Sequence, residues 1–439
     1  MTAAPAAERA GRRELFAWAM YDFASSGYTT VVLTTVFNAY FVAVVAAGAG
    51  LASGAGTFLW TLTIGIGNAI VIVSAPVVGA IADERAAKKR LLLACSVVCV
   101  SATALLASAG PGDVTIAMLL VVVSLFCFST AQNLIAAFLP ELVPTDQMGR
   151  MSGYGWGLGY LGGLVTLALC LGYISFAQAH GQRETEFVPV TLLITAVLFA
   201  LAALPTFAFL RERATPRPRP PDSRYLRAAL QRVLGTFAQA RLHRDLFRFL
   251  LALVTFQAGV NTVIVVTAIY VRAVFGFDER DLVLLVMVVN IAAAAGSLTA
   301  GFCQDRFGAV RTLAGTLGVW IVALVLVLFA NDVVHVWIAA NVIGFAMGGS
   351  QSGGRAIVAL FTPAARTAEF FGLWGLANRV ASIVGPLTYG LVGLLSRGNP
   401  HATIGFTIAF FVAGLALLAR VDEARGIEAA RHFGAEPLA

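Results

Sequence analysis

The sequence predicts an all-α integral membrane protein: twelve transmembrane helices arranged as two pseudo-symmetric six-helix bundles. Three observations predict it. The 439 residues are 59% hydrophobic and only 12% charged, against about 25% charged in soluble domains. Twelve apolar segments are long enough to cross a bilayer, which takes about 20 residues. Two sequence motifs recur in the second half of the chain at nearly one offset.

The expected spans are 15–45, 57–82, 90–109, 114–139, 150–174, 188–210, 247–273, 281–302, 311–330, 333–360, 369–395 and 402–420. Residues 1–14 are a polar tail ahead of a run longer than the apolar core of a signal peptide, with no clean small-residue cleavage site. Residues 15–210 form the first bundle and 247–420 the second. Between them lies a linker, 211–246, with a stiff PRPRPP core and an Arg-rich amphipathic stretch at 223–242 suited to an anionic leaflet. Residues 421–439 form a C-terminal tail.

Lys and Arg set the orientation. With residue 1 inside, the tails and inner loops hold 24 of the 30 basic residues and the outer loops hold 4. Both termini are therefore expected in the cytoplasm, in a bacterial inner membrane. The same bias accounts for most of the net charge of +7, so nucleic acid is not an expected partner. Five cysteines form no CxxC pair, which suggests neither a zinc site nor a disulfide framework. No P-loop, HExxH or GxSxG occurs, and the five histidines do not cluster. An enzyme is not expected, nor a cofactor or a bound metal.

The repeat is visible in residues. "GAIADERAAKKR" (79–90) follows span two and "GFCQDRFGAVR" (301–311) follows span eight, so that Asp83 and Asp305 are 222 positions apart. "PTDQMGRMSGYGWG" (144–157) and "PAARTAEFFGLWGL" (363–376) repeat at 219. Transporters are commonly built from such duplicated halves, with a site near the midplane between them.

These loops resemble the signature of the major facilitator superfamily, G-x-x-x-D-[RE]-x-G-x-[RK]-[RK]. The second copy keeps Gly301, Asp305, Arg306, Gly308 and Arg311. The first departs: Glu84 follows the Asp, Arg85 comes one place late, and Ala87 stands at the glycine position. Within the superfamily, "WAMYDFASSGYTTVVLTTVF", "LPELVP", "MSGYGWGLGYLGG" and "EFFGLWGLANRVASIVGPL" resemble the vacuole-effluxer-like (unknown major facilitator) family over nearly the whole chain. Its eukaryotic members are associated with amino-acid efflux from the vacuole. One departure is the stretch "FQAGVNT" (256–262), where Gln257 and Ala258 replace an acid found in relatives.

The resemblance implies gates and a cavity. Asp83, after Gly79, should dock on the start of span eleven near Glu369, and Asp305 on the start of span five near Gly149. The basic cluster Arg85–Arg90 either pairs with Glu141 or Asp146 or anchors the loop inside. Spans one, four, seven and ten should line the cavity, and polar residues concentrate there: Tyr21, Asp22 and Ser26; Gln132 and Asn133; Gln257 and Asn261; Gln351 and Arg355. Arg379 in span eleven joins them near the midplane. Asp22 is a carboxylate well inside the membrane, where a charge is costly without a partner or a wet cavity. Its candidate partners are Arg355 and Arg379. The pair forms either the charged part of a zwitterion or anion site, or an internal ion pair that fixes packing or gates the cavity.

The expected function is secondary active transport of a small polar solute, an amino acid or other zwitterion or an organic anion, by alternating access. A proton is a candidate coupling ion, and the protein is expected to act as a monomer in the lipid bilayer. The competing reading is a non-transporting receptor or scaffold on the same fold.

Overall fold

A computed structural model of the protein describes residues 10–214, 243–277, 279–397 and 400–432. The expected amphipathic stretch 223–242 lies outside the described residues. Among the described residues twelve long helices follow one another: α1 (Arg12–Ala46), α2 (Ser53–Arg85), α3 (Lys88–Ser108), α4 (Val114–Ala136), α5 (Met148–Ala179) and α6 (Glu184–Phe209), then α7 (Arg244–Phe275), α8 (Glu279–Phe307), α9 (Ala309–Leu328), α10 (Val333–Leu360), α11 (Thr367–Leu395) and α12 (Pro400–Leu418). A short α13 (Glu423–His432) is the last described helix.

Helices are what a bilayer demands, because every backbone polar group must be satisfied within the segment. The first ten contain spans long and apolar enough to cross, and Ala402–Leu418 with Glu423–His432, bent by 61°, makes an eleventh. The remaining helix, α11, is 29 residues long and carries Glu369, Asn378 and Arg379. Most helices overrun the apolar spans read from the sequence. Helical hydrogen bonding does not stop at the hydrocarbon edge, so α2 continues to Arg85 and ends on the left-handed Ala86 at φ 47°. Large apolar side chains such as Phe58, Val73, Phe329 and Leu387 are exposed on the outer faces, as a lipid-facing surface requires.

The halves meet through equivalent helices. α2 packs along α11 and α5 along α8, and α5 also touches α10 while α4 touches α11. Glycines allow backbones to approach there. A Cβ at Gly79 would run into the Ala368 carbonyl, and one at Gly153 would lie 2.6 Å from the Ser297 carbonyl oxygen.

Each half also closes on itself in the same manner. Glu14 at the start of α1 accepts from Arg211 N (3.0 Å) and from both terminal nitrogens of Arg213 (2.7 Å each). Asp245 at the start of α7 accepts from Asp422 N (3.1 Å) and Arg425 Nη2 (2.7 Å). The neighbouring acid then caps the third helix of its half. Glu212 accepts from Lys89 N at 2.8 Å, and Glu423 accepts from Ala309 N and Val310 N at 3.1 and 2.9 Å. These contacts put both described ends of the chain and the ends flanking the linker on one side, called here the terminal end.

Candidate functional site

Three layers of polar contact join the halves, starting at the terminal end. In the first, Asp83 reaches the start of α11, where Ala368 N and Glu369 N donate to it at 3.0 and 2.9 Å. Its repeat partner Asp305 accepts from Gly149 N (2.8 Å), Arg150 N (3.2 Å) and Arg150 Nε (2.7 Å) at the start of α5. A helix start offers unpaired N–H groups and a partial positive charge, so an anion there gains about 0.3–2 kcal/mol. Gly301 sits under this contact, against the Gly149 carbonyl.

The basic partner in this layer comes from within the expected cluster Arg85–Arg90. Lys88, rather than Arg85 or Arg90, pairs with Glu141 and also donates to Thr367 Oγ1 at 2.9 Å. Lys88 is 1% exposed, and its ammonium lies 5.2 Å from the Phe138 ring centre. The first position of α3 faces the other half, whereas Arg85 and Arg90 are exposed, as are Asp146, Arg306 and Arg311.

The second layer is the Asp22–Arg355 pair. Arg355 Nη1 donates to Asp22 Oδ2 at 2.6 Å. Its Nε reaches Ser152 Oγ at 3.2 Å and its Nη2 the Ser152 carbonyl at 2.8 Å. The guanidinium lies 4.8 Å from the Trp18 ring centre and 5.5 Å from that of Trp156. Both charges are buried, with side-chain exposures of 9% and 3%. A Cβ on Gly155 would collide with both groups, so α5 can pass only as glycine. The contact binds α1 and α5 of one half to α10 of the other. Arg379 is therefore not the partner of Asp22.

The third layer lies deeper. Arg379 stands twelve residues into α11, roughly 18 Å along the helix, and its Nη1 donates to Asn68 Oδ1 of α2 at 3.3 Å. Asn133 of α4 packs on Gly375, one turn before Arg379. Gln132, beside it, donates to Ser25 Oγ at 3.0 Å. Ser129 Oγ, Asn133 Nδ2, Gln257 Oε1 and Trp374 Nε1 are buried with no hydrogen-bond partner among the described residues. Orphaned buried polar atoms are rare and call for a water, a ligand or another explanation; Gln304 and Ser352 carry such atoms outside this layer.

Other cavity candidates turn elsewhere. Tyr21 is fully buried inside the first half, bonded to Ser96 Oγ at 2.7 Å and edge-on to Phe199 and Phe207, so it does not line the interface. Ser26 donates back to the Asp22 carbonyl at 2.7 Å, and Asn261 donates to the Gln257 carbonyl at 2.8 Å. Gln351 is half-buried on α10. The sequence reading missed Ser152, Ser129 and the capping acids Glu212 and Glu423. Only the last two carried a signal, because "LRER" (210–213) and "VDEAR" (421–425) follow α6 and α12 alike.

Residues 10–431 match the family described as "Vacuole effluxer Atg22 like". An uncharacterized MFS-type transporter of Bacillus subtilis (strain 168), YxiO, is 28% identical over 429 residues, covering 96% of this chain and 97% of that one. Autophagy-related protein 22 of Yarrowia lipolytica is 23% identical over 67% of this chain, which spans 54% of that protein's length. Among solved structures, the human organic anion transporter MFSD10 (TETRAN) superposes with a TM-score of 0.69 at 15% identity, over 93% of this chain and 99% of that one. The fold is thus that of the major facilitator transporters, and the chain belongs to the Atg22-like vacuole effluxer family.

Proposed function

We propose that the protein is a secondary active transporter that moves a small polar solute, zwitterionic or anionic, by alternating access. The observation that carries this reading is the pair of repeat-related contacts, Asp83 on α11 and Asp305 on α5. Each is worth an energy that a solute-driven rearrangement can offset. A receptor or scaffold would need no such reversible closure in both halves. The Lys and Arg bias supports a bacterial inner membrane with the terminal end in the cytoplasm.

In this reading Asp22 and Arg355 form an inner gate. Opening the terminal end separates them and exposes the Asp22 carboxylate to the cavity, where it can take up a proton and couple transport to the proton gradient. The test is flux into liposomes holding the purified protein, screened over amino acids and organic acids, with and without a pH jump. Accumulation that responds to the jump in wild type and not in Asp22→Asn is expected. Absence of counterflow for every solute would sink the transport reading. A pH response unchanged in Asp22→Asn would sink the coupling alone.

A further inference from the structure

The polar cluster of the third layer has a composition that selects its ligand. α4 and α11 run in opposite senses and meet where Asn133 packs on Gly375. One turn farther from the terminal end, the same faces carry Ser129 on α4 and Arg379 on α11. Tyr28 of α1 packs its ring 5.0 Å from that of Phe128, the residue before Ser129 on α4. Asn68 of α2 closes the fourth side.

On α4 and α11 the charge is positive and the unpaired groups can donate; the unpaired acceptor of this layer, Gln257 Oε1, is on α7. Arg379 has a single hydrogen bond and no carboxylate partner among the described residues, although a guanidinium carries five N–H donors. Asn133 Nδ2 is a further buried donor with no partner among the described residues, and Ser129 Oγ can donate. Among the described residues the one carboxylate deep in the helices, Asp22, is already held by Arg355. A charge held among apolar helices, even half-buried as Arg379 is, is stabilised by an opposite charge. One guanidinium amid neutral donors balances one negative charge, whereas a dianion would leave a surplus. An ammonium would find no carboxylate to pair with.

We propose that Arg379, with Asn68, Ser129 and Asn133, binds the carboxylate of a monocarboxylate ligand with an apolar tail, and that the site discriminates against zwitterions and amines. The guanidinium takes the carboxylate in a forked pair, and the orphaned donors complete its shell. Tyr28 and Phe128 supply the apolar wall. The inference rests on the transport reading and narrows its solute to a net anion.

The test is equilibrium binding to the full chain in lipid nanodiscs with three probes that share one tail: 3-methylbutanoate, leucine and isopentylamine. Saturable binding of radiolabelled 3-methylbutanoate is expected. Leucine should compete at least tenfold more weakly, and isopentylamine should not compete at a hundredfold excess. Arg379→Gln should weaken binding at least tenfold, and Arg379→Lys should recover part of it, keeping the charge and losing the fork. Ser129→Ala and Asn133→Ala should each weaken binding severalfold, and thermal melts check that every variant is folded. No saturable 3-methylbutanoate binding, equal competition by leucine or the amine, or a folded Arg379→Gln protein with unchanged affinity would overturn the proposal. Binding without counterflow would instead indict the transport reading.

Discussion

Asp22 and Arg355 are 333 residues apart in sequence and 2.6 Å apart in the fold. The pair bridges α1 of one half and α10 of the other, and Ser152 and two tryptophans satisfy what the carboxylate leaves of the guanidinium. Breaking a buried pair on one side strands the other charge, at a cost of about 3–5 kcal/mol. Asp22→Asn should therefore lower the melting temperature and favour the conformation open at the terminal end. The double replacement Asp22→Asn with Arg355→Met should recover much of the lost stability and remain defective in flux. Melts in detergent, read beside liposome uptake, check this. A double variant no more stable than Asp22→Asn would contradict it.

Gly155 passes the same pair with no room for a methyl group. Gly155→Ala forces Arg355 or Asp22 aside, and overpacking of this kind costs about 1–3 kcal/mol. The variant should be destabilised and should lose gating at the terminal end, seen as faster labelling of a cysteine placed in the interface between α5 and α10. Gly172, which has open space around its Cβ position, is the control, and Gly172→Ala should leave both readouts near wild type.

Glu212 and Glu423 cap the third helix of their respective halves. Removing a capping side chain costs about 0.5–2 kcal/mol. Glu212→Ala and Glu423→Ala should each lower thermal stability by a similar amount. Their effects should add in the double variant, because the two caps share no partner. Strong non-additivity in melts would show that the caps communicate through the interface.

His243, at the start of α7 and outside the membrane span, is buried against the Phe370 ring. Burial first, and the neighbouring Arg366 guanidinium second, lower its pKa from the usual 6.5 to about 4. The unfolded chain thus binds a proton at a pH where the folded one does not. The stability this site contributes is present above pH 6.5 and is lost as the pH falls toward about 4. Melting temperature measured against pH should decline over that window in wild type and more shallowly in His243→Phe. Parallel profiles would assign the acid limb to other groups.

The sequence by itself determined what a bilayer reads one residue at a time. Length and hydropathy mark the spans, Lys and Arg bias the loops, and the 222-residue offset of Asp83 and Asp305 exposes the repeat. The resemblance to the superfamily loop pointed Asp83 toward Glu369, and the repeat then pointed Asp305 toward Gly149, where their contacts lie. Only the tertiary structure decided which side chains share a face of the interface. It paired Asp22 with Arg355 rather than Arg379, brought Lys88 rather than Arg85 or Arg90 to Glu141, and turned Tyr21 into the first half. The physical reason is that a membrane helix is apolar toward lipid and toward its neighbours alike. Its sequence therefore lacks the polar stripe that fixes the rotation of a soluble helix. Rotation is set instead by close packing, here at Gly79, Gly153 and Gly155, and that exists only once both halves are in place.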